Sequence, residues 1–306
     1  MALWGRRGQQ RVCLPQPISL DKDTVHHLET EPYMVSYKTD GDRRALYADA
    51  GHHVFYWVDR HDTFTTALGT ASTPNVFVGT VLDGEYVPGG ESAPSTFVVF
   101  DCVALTGTTV ARQPLPRRLL HAATACRLIR LDGVQLRVKT TLMAYDLAQL
   151  LKLPDPDGVP HDGLIFTPVN CPVVSAAGPG HQNKKKLFKW KSPSEHTVDL
   201  WCRDLRLYAE DRSYNGSLAD LVRSSGSDEA LRRALLALPA RRDVLLECRW
   251  CPRRRSFVPK LTGAGALMTR ADKPRANSMY VVQQTLKAIE DNLTRFDLLQ
   301  LRYIRA

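Results

Sequence analysis

Three stretches in the first half of the chain, Val54–Val58, Val76–Leu82 and Thr96–Leu105, are dense in β-branched and aromatic residues and bounded by Gly, Pro or Asp. That pattern predicts strands. The segment PGGESAPS at 88–95 is turn chemistry and predicts an antiparallel hairpin between two of them. Leu115–Ile129 and Leu142–Leu151 carry apolar residues at helical spacing and predict helices. Strand character returns at Gly163–Val169 and Leu187–Trp190, on either side of a polar loop, AAGPGHQNKKK, at 176–186. Beyond Pro193 the texture changes. Val198–Leu207, Val244–Trp250 and Ser256–Leu261 predict short antiparallel strands, and Ser227 is placed to cap a helix whose apolar face is Leu231, Leu235 and Leu238. Helices are expected at Met279–Leu293 and Phe296–Tyr303. The expected class is α+β, with a domain at 1–196, a smaller barrel-like domain at 197–294 and a terminal helix in 295–306 that packs back on the first.

Composition adds little to this. The 306 residues suffice for two domains with buried cores, and 43% hydrophobic with 24% charged residues is ordinary for a globular protein. The net charge of +9 suits a polyanionic partner or a plain solubility surplus equally well. Of seven cysteines only Cys248 and Cys251 form a CxxC, with no second pair to complete a zinc site, so free thiols in a reducing compartment are expected. The first residues lack the apolar run of a secretory signal, and no stretch of 18 apolar residues occurs, so no membrane association is expected.

Chemistry is concentrated in short blocks that recur in order. Lys38-Thr39-Asp40-Gly41-Asp42-Arg43 follows an apolar Tyr33–Val35. A second DG with a carboxylate stands at Asp83-Gly84-Glu85, the run FVVFD ends at Asp101, and Asp162-Gly163 opens an apolar strand. LFKWK then places Lys189 and Lys191 at i and i+2, on one face of a strand, and RADKPRAN carries Arg270, Asp272 and Lys273 near the end. Each block alone is common: a lysine in a polar turn, a tight DG turn, a solvated strand face. Their order is not.

That order resembles the covalent nucleotidyltransferase superfamily of mRNA capping enzymes and polynucleotide ligases, and the resemblance covers nearly the whole chain. KxDG, VLDGE, FVVFD, DGLIF and LFKWK match the superfamily's successive motifs, while KWKSPSEHTVDL, which contains Asp199, and RxDKxxxN resemble the capping branch. The resemblance implies an ATP-grasp-like ligase/capping fold followed by an OB-fold domain, and GTP:RNA guanylyltransferase activity. It makes Lys38 the nucleophile. A free lysine, with its pKa near ~10.4, is mostly protonated at neutral pH, and nearby cations such as Lys189, Lys191 and Arg43 favour the neutral amine. By the same resemblance Asp40, Arg43, Arg60, Lys189, Lys191 and Asp199 bind GTP. Phe100 stacks on the guanine, Lys139 reads its edge, and Glu85 holds the ribose or a metal. Asp162, with Glu85, takes Mg²⁺ or Mn²⁺. Arg270, Asp272 and Lys273 act on the β- and γ-phosphates as the second domain closes over GTP.

Three departures from the family pattern are visible. The linker from Lys139 to Asp162 is short. LTGAGAL stands as an insertion before the last motif, and Asn183 occupies a position where an arginine is common, with Lys184 to Lys186 able to replace it. An ATP-dependent ligase and an inert RNA-binding module are the alternatives. The C-terminal motif argues against the first, and retention of every motif lysine and carboxylate against the second. No HCxxxxxR phosphatase loop or methyltransferase glycine turn occurs, so a monomeric, monofunctional enzyme is expected, using 5′-diphosphate RNA from a separate RNA triphosphatase and passing its product to a cap methyltransferase. The expected location is the nucleus or the cytoplasm.

Overall fold

A computed structural model of the chain describes residues 14–90, 93–154, 156–173, 187–212, 214, 216–223, 229–239 and 242–305. It divides into two compact units, residues 1–190 with 299–306, and residues 191–298. The division falls six residues before the expected boundary at 196, because the short 3₁₀ turn Pro193–Glu195 packs on elements of the second unit.

The first unit contains two sheets. One comprises β1 (Ile18–Ser19), β2 (Tyr33–Thr39), β12 (Thr141–Met143), β13 (His161–Pro168) and β14 (Phe188–Trp190), in the order β1-β14-β13-β2-β12. The other is built from β3 (Asp42–Asp49), β4 (Val54–Val58), β5 (Phe64–Ala67), β6 (Gly69–Ala71), β7 (Thr80–Val87), β8 (Ser95–Leu105), β10 (Ile129–Leu131) and β11 (Val134–Val138), with β9 (Thr108–Thr109) paired to β8. Helix α1 (Leu115–Leu128) packs on the second sheet, with Ala122 and Ala125 joining Leu46, Phe55, Leu82, Phe97 and Val99 in one apolar core. The chain crosses between the sheets twice in ways that matter below. Asp40-Gly41 joins β2 to β3, and Lys139-Thr140 joins β11 to β12.

The second unit is a sheet in the order β17 (Gly216–Ser217), β16 (Arg206–Tyr208), β15 (Thr197–Arg203), β18 (Val244–Cys251) and β19 (Ser256–Pro259), with helices α3 (Ala219–Arg223), α4 (Glu229–Leu236), α5 (Met279–Asp291) and α6 (Arg295–Leu299). The sheet rolls toward closure. Tyr214, just ahead of edge strand β17, places its hydroxyl 3.1 Å from Ser256 Oγ and accepts the Phe257 N–H at 3.3 Å, both on the opposite edge strand β19.

Several elements differ from the sequence expectation. Val76–Leu82 is not one strand. Pro74 opens a 3₁₀ turn over Pro74–Val78, and the strand begins at Thr80. Proline fixes φ at the turn's first position, and Gly79 ends it with φ 126°, a conformation costly for a side-chain-bearing residue. Leu142–Leu151 is helical only over α2 (Leu147–Leu150), because Thr141–Met143 pairs instead with β2. Val198–Leu207 is a hairpin, turned by Asp204 and Leu205, which both have positive φ (47° and 60°) as a tight two-residue turn requires. Phe296–Tyr303 is helical only to Leu299. After that the chain joins the first unit, where the Arg302 N–H donates to Glu29 Oε1. Leu231 and Leu235 are buried as expected, while Ser227, Asn183, Lys184 to Lys186 and the 176–186 loop lie outside the described residues. Among the described residues six cysteines are free thiols and no cluster of metal-ligating side chains occurs around Cys248 and Cys251.

The first unit also buries a full ion pair. Arg118 on α1, 1% exposed, forks onto Asp101 at the far end of FVVFD, at 2.7 and 3.0 Å, and its third nitrogen donates to the Gln113 and Cys171 carbonyls. Burial pushes the Asp101 carboxyl up, while Arg118 draws it back. Removing one partner of such a pair strands the other charge, which costs about 3–5 kcal/mol. Arg118→Met should therefore lower the unfolding free energy by about that amount in urea titration, and adding Asp101→Leu should recover part of it.

Candidate active site

The expected nucleophile lies on β2, an interior strand of its sheet between β13 and β12, one residue before the crossing to β3. On the neighbouring strand β13 the register slips. Thr39 pairs with His161 and Tyr37 with Leu164, so the single residue Lys38 faces two, Asp162 and Gly163. A bulge of this kind re-aims a side chain. Asp162 Oδ1 comes to 2.7 Å from Lys38 Nζ, each side chain about one-fifth exposed. Apolar Tyr33–Val35 anchors the strand in the interior, so the lysine is held by a backbone with little freedom.

The second sheet brings its groups to the same crossing. Arg43, five residues after Lys38, forks onto Asp83 at 3.0 and 2.6 Å and donates to the Pro15 carbonyl at 2.8 Å. Burial would lower the Arg43 pKa, but Asp83 outweighs it and the guanidinium stays charged. Beside Asp83, Glu85 pairs with Arg43 across the β3–β7 ladder. A second slip occurs between β7 and β8. Gly84 opposes Val99 and Asp83 opposes Asp101, so Phe100 has no partner opposite. The bulged Phe100 is half-buried and carries cations at its ring. The Arg43 guanidinium carbon is 5.4 Å and Lys139 Nζ 5.5 Å from the centroid. A strand phenylalanine is usually core; this one is turned out of the alternation into a charged cluster.

Lys139 is almost wholly buried, and its backbone N–H donates to the Val99 carbonyl at 2.8 Å. Burial brings its ammonium down to about 8, opposed by the negative charges of Glu85 and Asp157. Burial likewise pushes Glu85 up to about 7, offset by Lys139, Lys38 and Arg43. Asp157 steadies this corner: its Oδ1 accepts the Thr140 N–H at 2.8 Å and its carbonyl accepts Arg137 at 2.7 Å. Lys38, Arg43, Glu85, Lys139 and Asp162 thus form one cluster of mixed charge, with Arg43 and Lys139 against the Phe100 ring. Two carboxylates with hard oxygen donors fit Mg²⁺ or Mn²⁺, provided water and phosphate complete the ligand shell.

Not every expected residue joins the cluster. Arg60 is exposed on the β4–β5 turn, and its Nε bonds only its neighbour His61 among the described residues, at 3.2 Å. Asp40 is exposed at the crossing, its N–H on the Pro160 carbonyl at 2.9 Å. Lys189 lies on β14, paired to Ile165 and Ser19, but the strand ends at Trp190, so Lys191 falls past it and in the other unit.

The second unit gathers its own cluster. Asp199 on β15, 4% exposed, receives Lys273 in a short ion pair and Arg270 at 3.5 Å. Arg270 also reaches Glu247 Oε2 at 3.4 Å and forks onto Asp272 at 3.0 and 2.7 Å. The Arg270 hydrogen bonds hold the Asp272 carboxyl down to about 2. Asn277 closes the ring by accepting the Asp199 N–H at 2.7 Å and donating its own N–H to the Asp199 carbonyl at 2.8 Å. Burial would raise Glu247, but Lys260 at 2.8 Å and Arg270 bring it below its usual range. Sequence reasoning missed Asp83, Asp157, Arg118, Glu247 and Lys260 as partners. Asp83 left a signal as the first acid of VLDGE, and Glu247 as a lone acid among apolar strand positions in VLLECRW.

Gly84 earns its place in VLDGE by close approach. A Cβ there would lie 2.6 Å from the Phe97 ring and 2.8 Å from the Val98 carbonyl. Gly84→Ala must push buried Phe97 off its position and should cost about 1–3 kcal/mol. A thermal melt unchanged within a degree would contradict this packing.

The family described as mRNA capping enzyme, catalytic domain, matches residues 7–193. The chain is similar to an mRNA-capping enzyme of Caenorhabditis elegans, at 28% identity over 60% of this chain and 32% of that protein. It is similar to the mRNA-capping enzyme subunit alpha of Schizosaccharomyces pombe, at 25% identity over 93% and 78%, and to that of Saccharomyces cerevisiae, at 27% over 60% and 46%. It thus spans about a third of the worm protein and under half of the budding-yeast subunit. With the matched region running through the five motifs from Lys38 to Lys191, the chain belongs to the mRNA capping enzyme catalytic-domain family.

Proposed function

We propose that the chain transfers GMP from GTP to the 5′-diphosphate end of RNA through a phosphoramidate on Lys38. The observation that carries this is the bulge that sets Lys38 against Asp162, in one cluster with Arg43, Glu85, Phe100 and Lys139. Lys38 Nζ forms a P–N bond with the α-phosphorus. The bond to the bridging oxygen of the β-phosphate breaks, and pyrophosphate leaves with the electron pair while the amine proton passes to Asp162 or water. In the second half-reaction an oxygen of the RNA β-phosphate attacks the same phosphorus. The P–N bond breaks and Lys38 regains its proton, leaving the GpppN cap.

Charge must be met at each stage. Arg43 and Lys189 face the α-phosphate in this reading, and Phe100 offers a π-face to the base. Lys139 donates to the guanine O6 and N7 acceptors, which adenine does not present in that pair. Glu85 and Asp162 would hold Mg²⁺ or Mn²⁺, which neutralises phosphate charge when bound. In the second unit the rolled five-stranded sheet reads as an OB-fold, and Arg270 and Lys273 serve the departing pyrophosphate. Asp199, Glu247 and Asp272 keep those cations aligned until phosphate replaces part of their pairing. The RNA would come from a separate RNA triphosphatase.

The primary test is incubation with α-phosphate-labelled GTP, or separately ATP, with Mg²⁺, followed by denaturing electrophoresis. Acid-labile label from GTP, absent in Lys38→Ala, is expected; label from ATP instead would make the chain a ligase, and label surviving Lys38→Ala would sink the lysine assignment. Arg270→Ala or Lys273→Ala should slow adduct formation at least about tenfold, the loss of one charged hydrogen bond at the transition state, and leave transfer from a preformed adduct nearly unchanged. Equal losses in the two half-reactions would contradict a pyrophosphate role.

A further inference from the structure

The seam where the second unit's sheet approaches closure is an open cleft of about 520 Å³. Tyr214, Gly216, Ser217 and Asp220 line one side, Arg254 and Arg255 the other. Gly216 lets the Tyr214 ring lie close beneath the edge strand, since a Cβ there would come within 2.8 Å of it. Three consecutive arginines, Arg253, Arg254 and Arg255, form the β18–β19 turn. The Arg254 N–H donates to the Cys251 carbonyl at 3.1 Å, the Arg255 N–H donates to the Pro252 carbonyl at 3.2 Å, and Arg255 has φ 47°. None of the three side chains has a carboxylate partner among the described residues. Arg206 pairs with Ser217 in the β16–β17 ladder, so its side chain shares the face of a cleft residue. Asp220, the one acid lining the cleft among the described residues, is paired with Arg223 at 3.1 Å.

This differs from the cations of the proposed phosphate chemistry. Arg270 and Lys273 are each neutralised by acids of their own unit, whereas the turn arginines stand together without an ion pair among the described residues. An array of unmatched guanidinium forks fits a chain of phosphates, which each fork can take two-pronged and which releases condensed counterions on binding. We propose that this cleft and its arginine turn bind the phosphodiester backbone of the RNA substrate, through a surface that shares no residue with either cluster described above. The proposal rests on the reading that RNA is the acceptor, and it concerns only how that RNA is held.

The test uses the full chain and a short single-stranded RNA with a 5′-diphosphate end. The variant is Arg254→Ala with Arg255→Asn, because asparagine tolerates the left-handed backbone at 255. By fluorescence anisotropy at several salt concentrations, wild type should show a log K against log [salt] slope steeper by about 1.4 than the variant, the share of two phosphates at ~0.7 each. The KM for RNA in cap transfer should rise about tenfold or more with kcat unchanged, while GMP-adduct formation from GTP stays at the wild-type level. An unchanged slope and an unchanged KM would overturn the proposal. So would a variant that keeps RNA but loses an acidic phosphopeptide measured in parallel, since the surface would then belong to a protein partner. If the double variant fails to fold, as judged by its adduct yield and melt, Arg254→Gln decides the same question with an expected slope change of about 0.7. Absence of any GMP adduct in wild type would defeat the parent reading and leave the binding result standing by itself.

Discussion

A charge removed from water must be met by another charge or by hydrogen bonds, or the structure does not form. The first unit meets that demand in three places at once: Arg118 with Asp101, Arg43 with Asp83, and Lys38 with Asp162. The pairs are linked through the backbone. Asp83 and Asp101 oppose each other across β7 and β8, and the turn from Lys38 to Arg43 joins the third pair to the second. Arg118 therefore does more than stabilise a helix. It fixes the end of FVVFD, the strand segment that displays Phe100.

Two irregularities turn this framework into a site. Regular ladders would point Lys38 and Asp162 by simple alternation and would leave Phe100 facing a partner across the sheet. The bulges at Asp162-Gly163 and at Phe100 add one residue on one side of each ladder, and each frees the side chain that the proposed chemistry needs. Both glycines that follow an aspartate at the β2–β3 crossing and in β7 stand where a Cβ would collide, Gly41 with the Tyr86 carbonyl at 2.6 Å and Gly84 with Phe97. The DG pairs are thus packing requirements as much as chemical ones.

Much of the site was legible from residue order because its members come from blocks that the sequence displays one after another: Lys38 with Arg43, Glu85, Phe100, Asp162, and Asp199 with Arg270 to Lys273. What was not legible is whatever depends on neighbours across space. Arg118 reads as one more arginine on an exposed helix, and nothing near it in sequence announces Asp101. Leu142–Leu151 shows helical spacing, yet its first residues serve as an edge strand because β2 offers them a ladder. Phe296–Tyr303 fails as a helix for a similar reason, since its latter half finds partners in the first unit. Arg60 rests on likeness of sequence alone: it is exposed on its turn and, among the described residues, bonds only His61.

The first unit is assembled from two separated stretches of the chain, residues 1–190 and 299–306, with the second unit between them in sequence. During synthesis at ~5–20 residues per second, the ribosome takes roughly 5–20 s to travel from one part to the other. Throughout that interval the surface of Tyr145, Leu147 and Ala148 lacks the Leu301 and Tyr303 side chains that later line it. The nascent chain therefore carries that surface incomplete until residues 299–303 emerge, so the unit that bears Lys38 is completed only after the whole of the intervening unit has been made.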